Sequence, residues 1–301
     1  MARPATLQLS MEKPTNNILT LSVSPHGAEL QSIQKNGKEY LWQGDARIWG
    51  RHSPVLFPMV GRVWNNTYRH NGHTYELGQH GFARDMEFEC IEQSSNQLTY
   101  RLRSTPETQN KFPFDFELRI SYQLKDNRIE VKWQVINTGK DCMPFQIGAH
   151  PAFYLDNFNE GDSVHGYFAF NNPGPLEYVM PQEKGCTSPE RHSLHLNDEN
   201  LMPIGLHTFD CDTYIIDNSQ LKSVSLLSKS KQRLVTLEFN APLVALWSPT
   251  KTHPECPFVC IEPWYGRCDN VGYNGEWKDR EWMQQLNPAE NFCASYTIII
   301  E

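Results

Sequence analysis

No stretch of the 301-residue chain approaches the roughly 20 consecutive apolar residues that a membrane-spanning helix needs. The segment Met1–Asn17 is polar, so it reads as neither a secretory signal nor a membrane anchor, and a cytoplasmic protein without a membrane partner is expected. An excess of positive charge is also missing: 27 basic residues stand against 35 acidic ones, a formal net charge of -8. That balance argues against a nucleic-acid partner, because phosphate binding needs a basic face. None of the eight cysteines forms a C-x2-C pair. They read as free thiols of a reducing compartment, many of them buried as small apolar side chains. A zinc site using Cys256, Cys260 and Cys268 is conceivable, but their spacing favours no metal. Internal repeats, low-complexity stretches and linkers are absent too, so a single domain over residues 1–301 is the simplest organisation.

What the chain does have is alternation with a period of two. Phe116, Leu118, Ile120, Tyr122 and Leu124 point one way, and Glu117, Arg119, Ser121 and Gln123 the other. Ile129, Val131, Trp133 and Val135 repeat the pattern after Asp126-Asn127-Arg128, which predicts a hairpin. Asn36-Gly37 and Asn71-Gly72 predict two more, since both residue types tolerate the positive φ of two-residue hairpin turns. Further strands are expected at 18–23, 87–91, 98–102, 224–227, 234–239 and 294–300. The best helical signal is Asp279–Leu286, about two turns long. The segment 157–200 reads as a long connection with some strand in it. Many short strands without strand–helix alternation predict an all-β protein, a sandwich or barrel with few short helices.

Four segments crowd polar, charged and aromatic residues beside Gly and Pro. They are Leu56–Arg62, Gln79–Asp85, Ile147–Phe153 and Phe258–Gly266. Arg62 follows a glycine in an apolar run and offers a fork of N–H donors, where a paired surface arginine is the plainer reading. His80 sits beside Gly81 and Phe82, as in a pocket wall or a hairpin corner. His150 precedes Pro151, which holds it extended. A single isolated histidine is more often a satisfied buried imidazole. Glu262 ends an apolar strand, where an unpartnered carboxylate is costly, so it sits at a rim, in an ion pair or in a pocket. The neighbouring Trp264 and Tyr265 favour the pocket, because aromatic faces pack on the C–H faces of sugars. Asp212 opens another strand-like run, though Asp is also a common turn residue.

Taken in order, the segments Phe57-Pro58 with Gly61-Arg62, His80-Gly81-Phe82-Ala83-Arg84, Gly148 to Phe153, Asp212 and Ile261-Glu262-Pro263-Trp264 resemble the aldose 1-epimerase (galactose mutarotase-like) family. Within it, the nearest look is to the LacX-type branch of small bacterial cytoplasmic proteins. The resemblance implies a large antiparallel β-sandwich, or supersandwich, with a sugar cleft lined by Arg62, His80, His150, Asp212 and Glu262. Asp210 and Asp217 are alternative positions for the aspartate. The His-x-Tyr-x-Asn pattern of galactose-specific members is replaced by His150-Pro151-Ala152-Phe153, so a strict galactose preference is not implied.

The implied activity is anomer exchange by acid/base chemistry, on an aldose with or without a phosphate, by a monomer or homodimer. Glu262 as carboxylate would take the C1 hydroxyl proton, and His150 as imidazolium would protonate the ring oxygen from the opposite side of the sugar. That chemistry needs no metal or other cofactor. Both groups would hold near their ordinary protonation states at neutral pH. Arg62, His80, Asp212 and Trp264 would hold the sugar. In a hexose-6-phosphate mutarotase, the rival reading, Arg62 and Arg84 would hold the phosphate. A non-catalytic sugar-binding protein is the alternative from another class. A glycoside hydrolase using Asp212 and Glu262 is a weaker one.

Overall fold

A computed structural model describes residues 13–172 and 174–301. Two large antiparallel sheets carry the fold, an all-β sandwich of the expected class. The larger has nine strands in the order Leu201–Ile204, Gly166–Phe170, Ser223–Leu227, Arg233–Phe239, Asn291–Ile300, Arg128–Asn137, Phe116–Lys125, Gln97–Arg103 and Glu89–Gln93. The smaller runs Tyr214–Ile216, Leu243–Trp247, Phe258–Tyr265, Ile147–Ala149 and Val55–Leu56, with Ala152–Tyr154 also paired to Phe258–Tyr265.

The alternating patterns place the core. Leu118, Ile120, Val131 and Trp133 of the large sheet share one buried cluster with Val244, Leu246, Val259 and Ile261 of the small sheet. Because side chains alternate along a strand, the even-numbered residues of Phe258–Tyr265 leave this core and face the other side. Cys260, Glu262 and Trp264 therefore share the small sheet's second face. Tyr265 turns back toward Trp133 and Phe292, away from them.

The three expected hairpins are present. Lys125 pairs with Arg128, Lys35 with Lys38, and His70 with His73. Asn36 and Gly37 have φ of 52° and 79°, and Asn71 and Gly72 have 49° and 79°, as their turns require. The stretch 157–200 contributes the strand Gly166–Phe170 to the large sheet and a small ribbon, Glu177–Tyr178 with His192–Ser193.

The expected helix at Asp279–Leu286 does not form. A 3-10 turn ends at Asp279, Trp282 takes a φ of 60°, and Gln284–Leu286 pairs as a strand with Met143–Phe145. Tertiary pairing wins over local propensity: Trp277 is fully buried and donates its indole N–H to Pro144 O, which fixes this segment against that strand.

Candidate active site

The small sheet brings His150 and Glu262 together through its register. Ile147 pairs with Tyr265 and Gly148 with Trp264; beyond the break, Ala152 pairs with Cys260 and Phe153 with Val259. One register runs through both halves, so His150 lies opposite Glu262. The ladder is interrupted there because Pro151 and Pro263 have no N–H to donate. His150 Nε2 lies 3.3 Å from Glu262 Oε2. Small residues flank the pair: Ala245 is Glu262's partner on its other side. Gly148 is needed because a Cβ there would stand 2.7 Å from the Trp264 ring.

A second element delivers His80. The backbone around it is left-handed, with φ of 64° at His80 and 71° at Gly81. Gly81 bridges to Phe57, and a Cβ on it would fall 2.2 Å from the Phe57 carbonyl oxygen. This turn joins two of the flagged segments: His80 N–H donates to Gly61 O at 2.7 Å, and Gly61 N–H donates back to His80 Nδ1 at 3.1 Å. The His80 ring then stands perpendicular to His150, centroids 5.6 Å apart.

These groups line a cleft of about 970 Å³. Arg62, His80, Arg84, His150, Asp212, Glu262 and Trp264 all border it, so the structure gathers every sequence-predicted site residue. Of the alternative aspartates, Asp217 is buried in an ion pair with Arg191, and Asp210 pairs with His207 on the surface. Asp212 is the one at the cleft. Trp264 is nearly fully buried, and its indole N–H donates to Ala149 O at 3.3 Å, so it braces the floor more than it presents a face. Cys256, Cys260 and Cys268 do not gather: Cys256 lies against Ser248, and Cys268 backs Gly61.

Sequence reasoning missed Trp49, Arg51, Lys184 and Trp247, which also line the cleft. Trp49-Gly50-Arg51 carries the same crowding of aromatic, glycine and charge that marked the other segments. Arg51 donates to Asp85 at 2.8 Å. Arg84 donates to Gln79 O at 2.7 Å, but its buried Nε has no partner. Burial, with the Arg51 charge beside it, lowers the Arg84 guanidinium to about 10. Arg62 donates to Gln79 Oε1 at 2.9 Å.

The sequence profile of the aldose 1-epimerase family matches residues 10–277. The chain belongs to the aldose 1-epimerase family. It is 29% identical to Protein LacX (plasmid) of Lactococcus lactis subsp. lactis over 296 residues, covering 95% of this chain and 97% of that one. Among solved structures it is similar to a galactose mutarotase related enzyme from Lactobacillus acidophilus, with a TM-score of 0.89, 32% identity and 97% of each chain covered. A galactose mutarotase-like protein from Lactobacillus casei superposes with a TM-score of 0.91 at 28% identity, covering 97% of this chain and 100% of that one.

Two features of this epimerase-family site differ from the sequence expectation. First, the two groups touch each other rather than facing across a sugar's width. Second, both are driven to their uncharged forms. Burial, then the Arg84 and Arg51 charges, push His150 down to about 3. Burial raises Glu262 well above the carboxylate range, and the Asp212 charge adds to this. The contact is short, yet Glu262 Oε2 makes no aligned hydrogen bond. Both shifts run toward the uncharged forms, a carboxylic acid and an imidazole. Ordinary histidine and glutamate values fail here because only tertiary structure makes the site dry.

Proposed function

We propose that the protein interconverts the α and β anomers of a hexose, with His150 and Glu262 as its proton-transfer pair. The contact between them at 3.3 Å, inside a cleft of about 970 Å³, carries this reading. Anomer exchange opens a hemiacetal: the C1 hydroxyl loses a proton, the ring oxygen gains one, and the C1–O5 bond breaks. Both oxygens are bonded to C1, so two protein groups in contact can serve both.

Glu262 as carboxylate takes the hydroxyl proton, and His150 as imidazolium gives its own to O5. The pair then holds a carboxylic acid and a neutral imidazole, the form that burial favours. That resting form has the same number of protons as the reactive one, and a single proton shift interconverts them. Rotation about C1–C2 and the reverse transfers close the ring on its other face. Arg62, His80 and Asp212 hold the hydroxyls. Proton transfer of this kind contributes about 10²–10⁴-fold in rate.

Polarimetry on freshly dissolved α-glucose and α-galactose tests the assignment. Turnover is expected to fall by about 10²–10⁴-fold in Glu262→Gln while sugar binding persists. Full activity in that variant would sink the mechanism, and a wild-type protein that binds sugar without accelerating rotation would be a sugar-binding protein only.

The unpartnered Arg84 Nε, with Arg51 and Arg62 on the same cleft, supports a second reading, in which the aldose carries a phosphate. Inorganic phosphate would then inhibit turnover. The compartment assigned is the cytoplasm, where the eight free thiols stay reduced.

A further inference from the structure

We propose that His150, Cys260 and Glu262 form a site for a thiophilic divalent cation of the zinc type, and that its occupancy blocks the sugar reaction. A ring nitrogen of His150, Cys260 Sγ and a Glu262 carboxylate oxygen lie within 4.8 Å of one another. Among the described residues no other three His, Cys, Asp or Glu side chains gather this way. The register accounts for it. Cys260 and Glu262 alternate onto one face of Phe258–Tyr265, and His150 lies opposite Glu262. Cys260 has the small Ala152 on one side and Trp247 on the other.

A tetrahedral zinc ion with its usual bond lengths holds ligand atoms about 3.5 Å apart. Two of these three are already at 3.3 Å. An imidazole, a thiolate and a carboxylate form a set that zinc, cobalt or cadmium accepts and that magnesium or calcium does not. All three residues are buried, and Glu262 Oε2 has no hydrogen-bond partner. Two of the three, His150 and Glu262, line the cleft. His150 Nδ1 also lacks a partner to orient the ring, so the affinity falls below that of a structural zinc site. A cation there engages the two groups that move the protons, so metal and sugar turnover exclude each other. The inhibition rests on the proposed function; the binding does not.

Cobalt(II) titration of the intact chain tests the binding, read as thiolate-to-cobalt charge-transfer absorption. The band is expected in the wild type, displaced by zinc but not by magnesium, and absent in Cys260→Ser and Cys260→Ala. In polarimetry, zinc should inhibit the wild type, and Cys260→Ala should keep its metal-free turnover while needing about 10–100-fold more zinc. Thermal melts confirm that at least one variant is folded. No band in the wild type, an undiminished band in the folded variants, or equal zinc sensitivity in Cys260→Ala overturns the proposal. A Cys260-dependent band in a protein without turnover leaves the metal site standing and removes the proposed function instead.

Discussion

The Trp49 indole lies face to face with the His150 imidazole, ring centroids 4.9 Å apart and planes at 29°. Trp247 closes the edge at 5.4 Å and His80 stands at 5.6 Å. Aromatic rings thus remove water from the imidazole, and this burial is the main reason that His150 resists protonation. Trp49→Ala should rehydrate the ring. The expected result is a His150 pKa shifted up toward 6.5 and a turnover about 10-fold lower from lost positioning, since ring stacking is worth about 0.5–1.5 kcal/mol. Trp49→Phe should keep most of the activity. NMR titration of His150 beside polarimetry checks both, and an unchanged pKa in Trp49→Ala would refute the desolvation argument.

Gly81 gives a sharper test of how the His80 turn is held. A Cβ there would meet the Phe57 carbonyl oxygen at 2.2 Å and Pro58 Cδ at 2.7 Å, and neither can swing aside. Gly81→Ala should cost roughly 2–4 kcal/mol and reduce activity, because His80 is the next residue. Gly72 has a similar φ of 79° but nothing within 4 Å of a built Cβ, so Gly72→Ala should cost only about 1 kcal/mol. Urea unfolding of the two variants measures the difference; equal losses would show that backbone strain, not the clash, decides.

Much of this was legible in the residues because it is local. Alternation from Phe116 to Val135 wrote one hairpin, and Asn36-Gly37 and Asn71-Gly72 wrote two turns. The ordered motifs named the residues that line the cleft. What could not be read is non-local. Nothing near His150 says that Phe258–Tyr265 will pair beside it in the register that sets Glu262 opposite. The pairing of Gln284–Leu286 with Met143–Phe145 overrode a helical pattern for the same reason. Trp49 and Arg51 lie between elements, where no periodicity marks them. The pKa shifts of the pair come from burial by segments far apart in the chain, and local sequence does not report burial.

Arg84 bears on the substrate's charge. Its guanidinium is mostly buried, its Nε is unpartnered, and its nearest carboxylate, Asp85, is 3.9 Å away and shared with Arg51. A phosphate docked there would supply the missing acceptor. Arg84→Gln should then raise KM for a phosphorylated aldose by about 10–100-fold, the range of a lost charge-assisted hydrogen bond of about 1.5–3 kcal/mol. KM for the neutral sugar should move by less than about threefold. Parallel kinetics on glucose and glucose 6-phosphate decide it: equal effects on both would leave the phosphate reading without support.

The two cleft histidines also fix the sign of the stability change between pH 7 and 5. His150 is pushed down to about 3 and His80 well below 6.5, burial being the first cause for each. Their folded values lie below the unfolded one, so their contribution is present above about pH 6.5 and is lost as pH falls toward the folded values. In that window the unfolded chain takes up protons that the native protein refuses. Each histidine then costs up to about 1.4 kcal/mol per pH unit. Glu262, raised well above the carboxylate range by burial, works the other way in this window, because the native protein keeps a proton that the unfolded chain has lost, and it offsets about one histidine. His70, lowered by burial, adds to the fall. Glu29 and Glu117 are held below the ordinary carboxylate range, so their effect sets in only under about pH 4.5. Urea unfolding at pH 7, 6 and 5 should show stability falling with acid, and a folded His80→Gln/His150→Gln protein should show a much shallower fall. If wild type and double variant lose stability in parallel, the two imidazoles are not the groups that titrate.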